Sequence, residues 1–169
     1  RRARDNGRDL RVIAGVRKSE VASERGEEPP PRGHKRDRME KVIDAALGPR
    51  PRLLVTMAYL TGVRRGELLT REWCDVDLDR GEHGIIRVTH KPHIRFRVKM
   101  GRERVVPVCP RLKQVMLEVP EEERHGYIIQ WGGSRQLSFT DVLRRTCIRA
   151  GVPIINQHGT RKTFASLAA

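Results

Sequence analysis

Two arginines and a histidine, separated by about ninety residues of sequence, have the side-chain chemistry of a phosphate-binding site. Arg64 follows Gly62 at the start of a predicted helix, and His158 precedes Arg161 by three residues. A guanidinium is planar, permanently charged and able to grip two oxygens, so two of them can clamp one phosphate. On a helix, His158 and Arg161 share a face, and a neutral imidazole there can accept the proton of an attacking hydroxyl. These residue types therefore indicate chemistry at a phosphate group.

A lysine and a glutamate extend this set. Lys99 precedes Gly101 at the tip of a predicted β-hairpin, and it can donate a proton near neutral pH only if neighbouring cations or desolvation lower its pKa. Glu67 lies three residues after Arg64 and can orient that guanidinium across one helical turn. The alternatives are a solvated lysine on a hairpin, a solvated arginine at a helix start and a histidine that caps a helix.

The order of these residues, arginine, lysine and then His-x-x-Arg, resembles that of the tyrosine recombinase (phage integrase) family. Three segments, 61–68, 98–108 and 158–166, carry the resemblance, which covers roughly residues 37–169. One segment departs from the family pattern: Gly159 and Thr160 stand where the family usually has an Asp-Leu-like pair, and Lys162 stands where a histidine is frequent. Neither catalytic residue type of that segment is lost.

The resemblance implies site-specific DNA recombination, in which DNA strands are cleaved and rejoined during integration or excision of mobile DNA. Arg64 and Arg161 would clamp the scissile phosphate, His158 would handle the proton of the nucleophile, and Lys99 would protonate the departing 5′ hydroxyl. No metal ion, cofactor or small-molecule substrate is implied. The implied partners are double-stranded DNA and further copies of the protein, assembled as a tetramer.

The nucleophile is where the chain departs most from the family. The two tyrosines, Tyr59 and Tyr127, lie in apolar surroundings and are predicted to be packing residues. The nucleophilic tyrosine of the family follows the His-x-x-Arg segment, so we expect it beyond residue 169 and expect these 169 residues alone to be inactive. The alternative function is a non-catalytic basic DNA-binding module, whose arginines position the DNA backbone without chemistry.

Composition agrees with a polyanionic partner. The 169 residues include 35 Lys or Arg and 21 Asp or Glu, a net charge of +14, although charge alone does not select DNA over RNA or anionic lipid. The longest apolar stretch, 53–60, is too short to cross a bilayer, and residues 1–20 lack the apolar run of a secretory signal, so a cytoplasmic protein is expected. Three widely spaced cysteines and the spacing of His83, His90 and His93 fit neither a disulfide framework nor a zinc site.

The pattern of elements predicts an α+β fold, mainly helical, with a small three-stranded antiparallel sheet. Residues 1–36 are predicted to be a basic linker, which in the resembled family follows a DNA-binding domain, and residues 37–169 an incomplete catalytic domain. Apolar spacing and Gly or Pro boundaries predict helices at 39–47, 52–60, 65–72, from 110, from 138 and from about 158. The 52–60 helix, apolar nearly all round, is expected to be buried, and Ser138 with Asp141 to cap the helix from 138. Strands are predicted at 85–89, 94–99 and 104–108.

Overall fold

The computed structural model describes residues 32–131, 134–135 and 138–167. The linker predicted for residues 1–36 lies outside this part of the chain except for its last five residues, which already form the start of a helix. The helices are α1 (Arg32–Asp44), α2 (Pro49–Leu60), α3 (Arg65–Leu69), α4 (Pro110–Leu117), α5 (Phe139–Arg149) and α6 (Gln157–Leu167). The strands are β1 (Val76–Asp77), β2 (Ile85–Val88), β3 (Arg104–Pro107), β4 (Gln130–Trp131) and β5 (Ser134–Arg135).

Helix α2 is the centre of the hydrophobic core. Every residue from Leu53 to Tyr59 is buried, and the helix packs against α1, α3, α4, α5 and α6. Prolines at its first turn suit a position where the backbone amides have no helical partner. This confirms the prediction of a buried helix, made because its apolar residues go almost all the way round.

A three-stranded antiparallel sheet has the order β1-β2-β3, with Ile86 of β2 opposite Val76 on one side and Val106 on the other. The mainly helical α+β fold with a small antiparallel sheet is therefore confirmed, and two of its strands lie where they were predicted. The short β4–β5 pair was not predicted. Among the described helices, none is long and apolar enough to cross a membrane.

The strand predicted at 94–99 is wrong, and β1 takes its place in the sheet. Strand β3 pairs with β2, and β2 pairs with β1 on its other side, so the predicted pairing of 94–99 with 104–108 is not formed. The segment instead folds on itself, because Lys91 and Phe96 exchange both of their backbone hydrogen bonds, at 2.9 and 3.0 Å, while Arg95 adopts a left-handed conformation (φ 54°). The alternation of apolar and cationic residues came from packing, since Val98 is buried while Arg95 and Arg97 are exposed.

Several helix predictions differ from the structure in their bounds. Helix α1 spans Arg32–Asp44 instead of 39–47. Helix α3 ends at Leu69 rather than Glu72, and a 3-10 turn follows it at Trp73–Asp75. Helix α5 starts where predicted, but the Ser138 hydroxyl contacts the Asp141 carboxylate instead of capping a backbone amide. Helix α6 begins one residue before His158, and its first turn is held by Asn156, whose Oδ1 accepts the Gly159 amide at 2.8 Å.

Gly62 allows α6 to approach the end of α2. Its φ is +59°, in the left-handed region that side chains disfavour, and a Cβ there would lie within 2.8 Å of Phe164 Cε1 on α6. The absence of a side chain at Gly62 therefore sets the distance between α6 and the turn that leads to Arg64.

We expect Gly62→Ala to destabilise the protein more than a matched substitution at Gly151. Gly151 has a similar φ of +64°, but a Cβ there would meet nothing within 4 Å. Gly151→Ala should lower the free energy of unfolding by about 1–2 kcal/mol through backbone strain alone, and Gly62→Ala by about 1–3 kcal/mol more through overpacking. Urea unfolding of both variants measures the difference, and equal losses would contradict the packing of Phe164 on Gly62.

Candidate active site

The turn between α2 and α3 presents Arg64. Gly62 turns the chain, Val63 is buried beside the core, and Arg64 is the extended residue immediately before α3. One Glu67 oxygen accepts the Arg64 backbone amide at 2.8 Å, and the other accepts a hydrogen bond from Arg64 Nη1 at 3.2 Å. The contact predicted from their three-residue spacing is confirmed. Glu67 thus fixes both the start of α3 and the direction of the Arg64 side chain.

A second arginine binds the same carboxylate. Arg104 on β3 donates two parallel hydrogen bonds to Glu67, at 3.1 Å to Oε1 and 2.6 Å to Oε2. The Glu67 side chain is only 2% exposed, whereas Arg64 and Arg104 are 41% and 35% exposed. The carboxylate is therefore buried under two guanidiniums that still reach the surface.

The environment of Glu67 keeps it ionised. Burial alone raises the pKa of a carboxyl group, but hydrogen bonds from Arg104 and from the Arg64 backbone and side chain outweigh this effect. Together they lower the pKa of Glu67 from 4.5 to about 2. At neutral pH the site therefore contains a full negative charge, shared by two positive ones.

Arg161 on α6 joins this cluster. Burial lowers the pKa of its guanidinium, the nearby charge of Arg64 lowers it further, Glu67 opposes this, and Arg104 contributes a smaller decrease. Among the described residues, the buried Nη1 of Arg161 has no hydrogen-bond partner. The fold thus brings Arg64 and Arg161 together from distant parts of the sequence. Arg64 and Arg104 bind the Glu67 carboxylate directly, and Arg161 is close enough for its charge to interact with all three. These four side chains leave two positive charges uncompensated.

His158 lies on the same side of α6 as Arg161, one turn earlier, and its ring is exposed. Thr160, between them, is fully buried, and its hydroxyl donates a hydrogen bond to the Gln157 carbonyl of the same turn at 2.7 Å. The burial of Thr160 fixes which face of this turn points inward. The departure from the family pattern at this position therefore provides a buried anchor for the helix.

The structure places Lys99 apart from the arginine cluster. It is exposed and starts a 3-10 turn, Lys99–Gly101, in which Met100 and Gly101 both have left-handed backbone angles (φ 63° and 67°). Lys99 lies in the connection between β2 and β3, and the hairpin of strands 94–99 and 104–108 predicted to carry it is not formed. No ion pair or hydrogen bond joins Lys99 to the described residues of the cluster.

Tyr59 is a packing residue, as predicted. Its side chain is 1% exposed within α2, and burial, followed by the effect of Cys147, raises its pKa well above the ordinary value. The histidines of the metal alternative have other contacts: His90 Nδ1 accepts the Val98 amide at 3.1 Å, and His93 Nε2 lies 3.2 Å from Glu72. Within the described residues, no group of three His, Cys, Asp or Glu side chains has the arrangement of a metal site.

Arg104 was missed by the sequence analysis as a member of the site. The motif spacing drew attention to Lys99, and Arg104 was assigned only to a strand. One signal was present: Arg104 lies two residues before buried Val106, so it shares the inward face of β3. Its partner Glu67 is 37 residues away in the sequence, and only the folded sheet brings the two together.

The charge state of Glu67 predicts a pH-dependent stability. Its folded pKa of about 2 lies below the ordinary 4.5, so ionised Glu67 stabilises the fold above pH 4.5, and this contribution is lost as the pH falls towards 2. At pH 7 we expect Glu67→Gln to lower the free energy of unfolding by about 2–3 kcal/mol.

Urea unfolding at stepwise lower pH measures this effect. The difference between Glu67→Gln and the unsubstituted protein should shrink below pH 4.5, whereas the exposed control Glu122→Gln should show little difference at any pH. A loss of stability in Glu67→Gln that is independent of pH would contradict an ionised, buried Glu67.

Comparison with known proteins finds relatives of this chain. The protein named Tyrosine recombinase XerC-like, from Caldanaerobacter subterraneus subsp. tengcongensis, is 23% identical over 161 residues, covering 77% of this chain and 41% of that protein. Prophage integrase IntF of Escherichia coli is 26% identical over 116 residues, covering 64% of this chain and 22% of that protein. The chain therefore spans less than half the length of these relatives.

Solved structures show the same fold. XerA recombinase has a TM-score of 0.63 at 24% identity, with 78% of this chain and 48% of that chain covered. The XerH site-specific recombinase, bound to palindromic difH substrate in a post-cleavage complex, has a TM-score of 0.57 at 20% identity, with coverage of 77% and 39%. A family model described as the phage integrase family matches residues 35–167. Because that match extends over most of the chain, this protein belongs to the phage integrase family.

Proposed function

We propose that this chain is the catalytic domain of a tyrosine recombinase, which cleaves and rejoins double-stranded DNA at specific sites through a phosphotyrosyl intermediate. The observation that carries the proposal is the cluster around Glu67. A buried carboxylate orients two arginines, and a third guanidinium, coupled to them electrostatically, has a buried donor with no partner among the described residues. Such a surplus of fixed, partly desolvated positive charge suits a phosphodiester.

In the proposed reaction, Arg64 and Arg161 bind the non-bridging oxygens of the scissile phosphate. Negative charge on these oxygens grows as the phosphorus becomes pentacoordinate, so fixed guanidiniums stabilise the transition state more than the ground state. His158 accepts the proton of the attacking hydroxyl or donates a hydrogen bond to a phosphate oxygen. Lys99 protonates the 5′ oxygen as its bond to phosphorus breaks. The phosphotyrosyl bond conserves the energy of the phosphodiester, so rejoining needs no nucleotide cofactor.

The nucleophile is proposed to be a tyrosine downstream of residue 169. Buried Tyr59 lies inside α2, and Tyr127 pairs through its backbone with Glu72, so each has a role in packing or pairing. Recombination between two DNA sites further requires several active sites in one assembly, and we propose the homotetramer that the family uses. Excision or integration of a mobile element is the proposed biological setting.

Binding of DNA by this chain should depend strongly on salt and little on sequence. The net charge of +14 supplies many phosphate contacts, and each contact lowers log K by about 0.9 per tenfold increase in salt. Fluorescence anisotropy with duplexes of unrelated sequence measures both properties. Arg161→Ala should weaken binding to both duplexes alike, and affinity unaffected by salt would contradict the proposal.

Covalent trapping tests the chemistry. A version of the protein that includes its natural downstream sequence should form a covalent adduct on a nicked suicide duplex, and these 169 residues alone should not. In the longer protein, Arg64→Ala and Arg161→Ala should each slow adduct formation by about 100-fold or more, as expected for loss of one donor to transition-state charge. Denaturing gels measure the adduct.

Arg80→Ala is the matched control for these variants, because Arg80 is an exposed arginine of the β1–β2 loop. It should leave the trapping rate unchanged. Adduct formation by the 169 residues at Tyr59 or Tyr127 would overturn the assignment of the nucleophile. A longer protein that binds DNA tightly and forms no adduct would instead favour the non-catalytic DNA-binding module.

A further inference from the structure

The segment that leads from β2 to Lys99 is anchored by an ion-pair network. Lys91, 7% exposed, donates hydrogen bonds to Glu72 at 2.7 Å and to Asp75 at 2.8 Å, just after α3. Burial alone lowers the pKa of Lys91, but its bonds to Asp75 and Glu72 outweigh burial and raise it. The ammonium is thus held between two carboxylates of the chain that follows Arg64.

An aromatic contact anchors the same segment a second time. The Phe96 ring lies against Gly66 of α3, where an added Cβ would come within 3.2 Å of the ring, and the Arg71 guanidinium carbon lies 5.6 Å from the ring centroid. Arg71 is fully buried and is itself fixed by hydrogen bonds to the carbonyls of Glu67, Arg87 and Thr89. Phe96 therefore packs on a rigid surface, to which a cation–π attraction contributes.

Backbone hydrogen bonds close residues 91–96 into a small loop. Lys91 and Phe96 exchange two hydrogen bonds, and His90 then binds the Val98 amide through Nδ1 at 3.1 Å. Val98, immediately before Lys99, is buried. The chain is thus fixed up to the residue before the lysine.

The other side of Lys99 is fixed on α3 as well. Arg104 holds the start of β3 on Glu67, the carboxylate that also orients Arg64. Both stems of the Lys99 turn are consequently attached to one short stretch of chain, residues 64–75. Between the stems, the turn at Lys99–Gly101 is exposed, with Met100 76% exposed.

We propose that Lys91 and Phe96 are positioning residues for Lys99: they fix the stem of its turn on the segment that carries Arg64, so that the lysine tip closes on the 5′ oxygen of the phosphate held by the clamp. This inference rests on the proposed function, specifically on Lys99 as the general acid. Neither residue touches the DNA phosphate in this proposal. Their loss changes the delivery of the proton and leaves the clamp in place.

The step concerned can be isolated chemically. The attacking oxygen forms a bond to phosphorus, the bond from phosphorus to the 5′ oxygen breaks, and the 5′ oxygen takes a proton from the Lys99 ammonium. If sulfur replaces that bridging oxygen, the leaving group is a thiolate, which is stable near neutral pH because thiols have pKa values of about 8.5. A substrate with 5′-bridging sulfur therefore does not need the acid.

The experiment uses the longer protein with its natural downstream sequence and compares cleavage of oxygen- and sulfur-bridged duplexes. Lys91→Met and Phe96→Ala should each slow cleavage of the oxygen substrate by about tenfold or more, a part of the 100-fold or greater effect of general acid catalysis. On the sulfur substrate both variants should cleave at close to the unsubstituted rate. Lys99→Ala should show the same pattern with a larger loss, and Arg161→Ala should be slow on both substrates.

Val105→Ala is the matched control, because Val105 is an exposed residue of β3 beyond the Lys99 turn. It should behave as the unsubstituted protein on both substrates. If Phe96→Ala does not fold, Phe96→Leu keeps the apolar volume while removing the ring over Arg71, and it carries the same test.

The outcomes separate the inference from the function on which it rests. Rescue of Lys99→Ala by sulfur, without rescue of Lys91→Met and of the Phe96 variant, would overturn the positioning role and leave the function standing. Equal slowing of Lys99→Ala on both substrates would overturn Lys99 as the acid, and the positioning role with it. Unchanged cleavage of the oxygen substrate by Lys91→Met and the Phe96 variant would also overturn the inference.

Discussion

The carboxylate of Glu67 joins the start of α3 to the start of β3, two parts of the chain that are distant in sequence. Its two oxygens accept the Arg64 amide, the Arg64 guanidinium and both terminal nitrogens of Arg104, so that the start of α3 and the start of β3 meet at one group. A buried carboxylate without such donors would take up a proton, because desolvation disfavours its charge. The arginines therefore keep Glu67 charged, and Glu67 in turn keeps the arginines in place.

The cluster of Arg64, Arg104, Arg161 and Glu67 contains three positive charges and one negative charge. The charges of Arg64 and Arg104 act unfavourably on Arg161, and Glu67 offsets part of this repulsion. The buried Nη1 of Arg161 also lacks a partner among the described residues. Folding alone does not favour such an arrangement, because a partly desolvated cation next to like charges is costly. A bound phosphate would supply the missing acceptors and charge. Buried donors of Arg50 and Arg52 also lack partners among the described residues, so the excess of positive charge around Glu67 distinguishes this site more than the unpaired donor does.

Sequence patterns predicted the helices that depend on local periodicity and failed where packing partners are distant. The buried α2, the helix from Pro110 and the contact of Glu67 with Arg64 follow from spacing over a few residues. The segment 94–99 shows the limit, since an alternating pattern reports which side chains are buried and not which backbone partners are available. Phe96 and Val98 are indeed turned inward, but against α3 and the core rather than within a sheet. Arg104, Lys91 and Arg71 took their roles from tertiary contacts that no short-range spacing reveals.

These contacts also determine which parts of the site are held in place and which part is exposed. Residues 64–75 form a segment to which the rest of the site is attached. Glu67 binds the Arg64 guanidinium, Arg71 donates a hydrogen bond to the Glu67 carbonyl, and Glu72 and Asp75 bind Lys91. The side chains bound to residues 64–75 are held in place without a ligand. The Lys99 turn, in contrast, is exposed, and its residues Met100 and Gly101 have left-handed backbone angles. A clamp gains from being preformed, because charge stabilisation then requires no reorganisation. In the proposed reaction, a proton donor on a turn that closes on the substrate stays away from the three arginines while the protein is free, and it approaches them only when the phosphate lies between them.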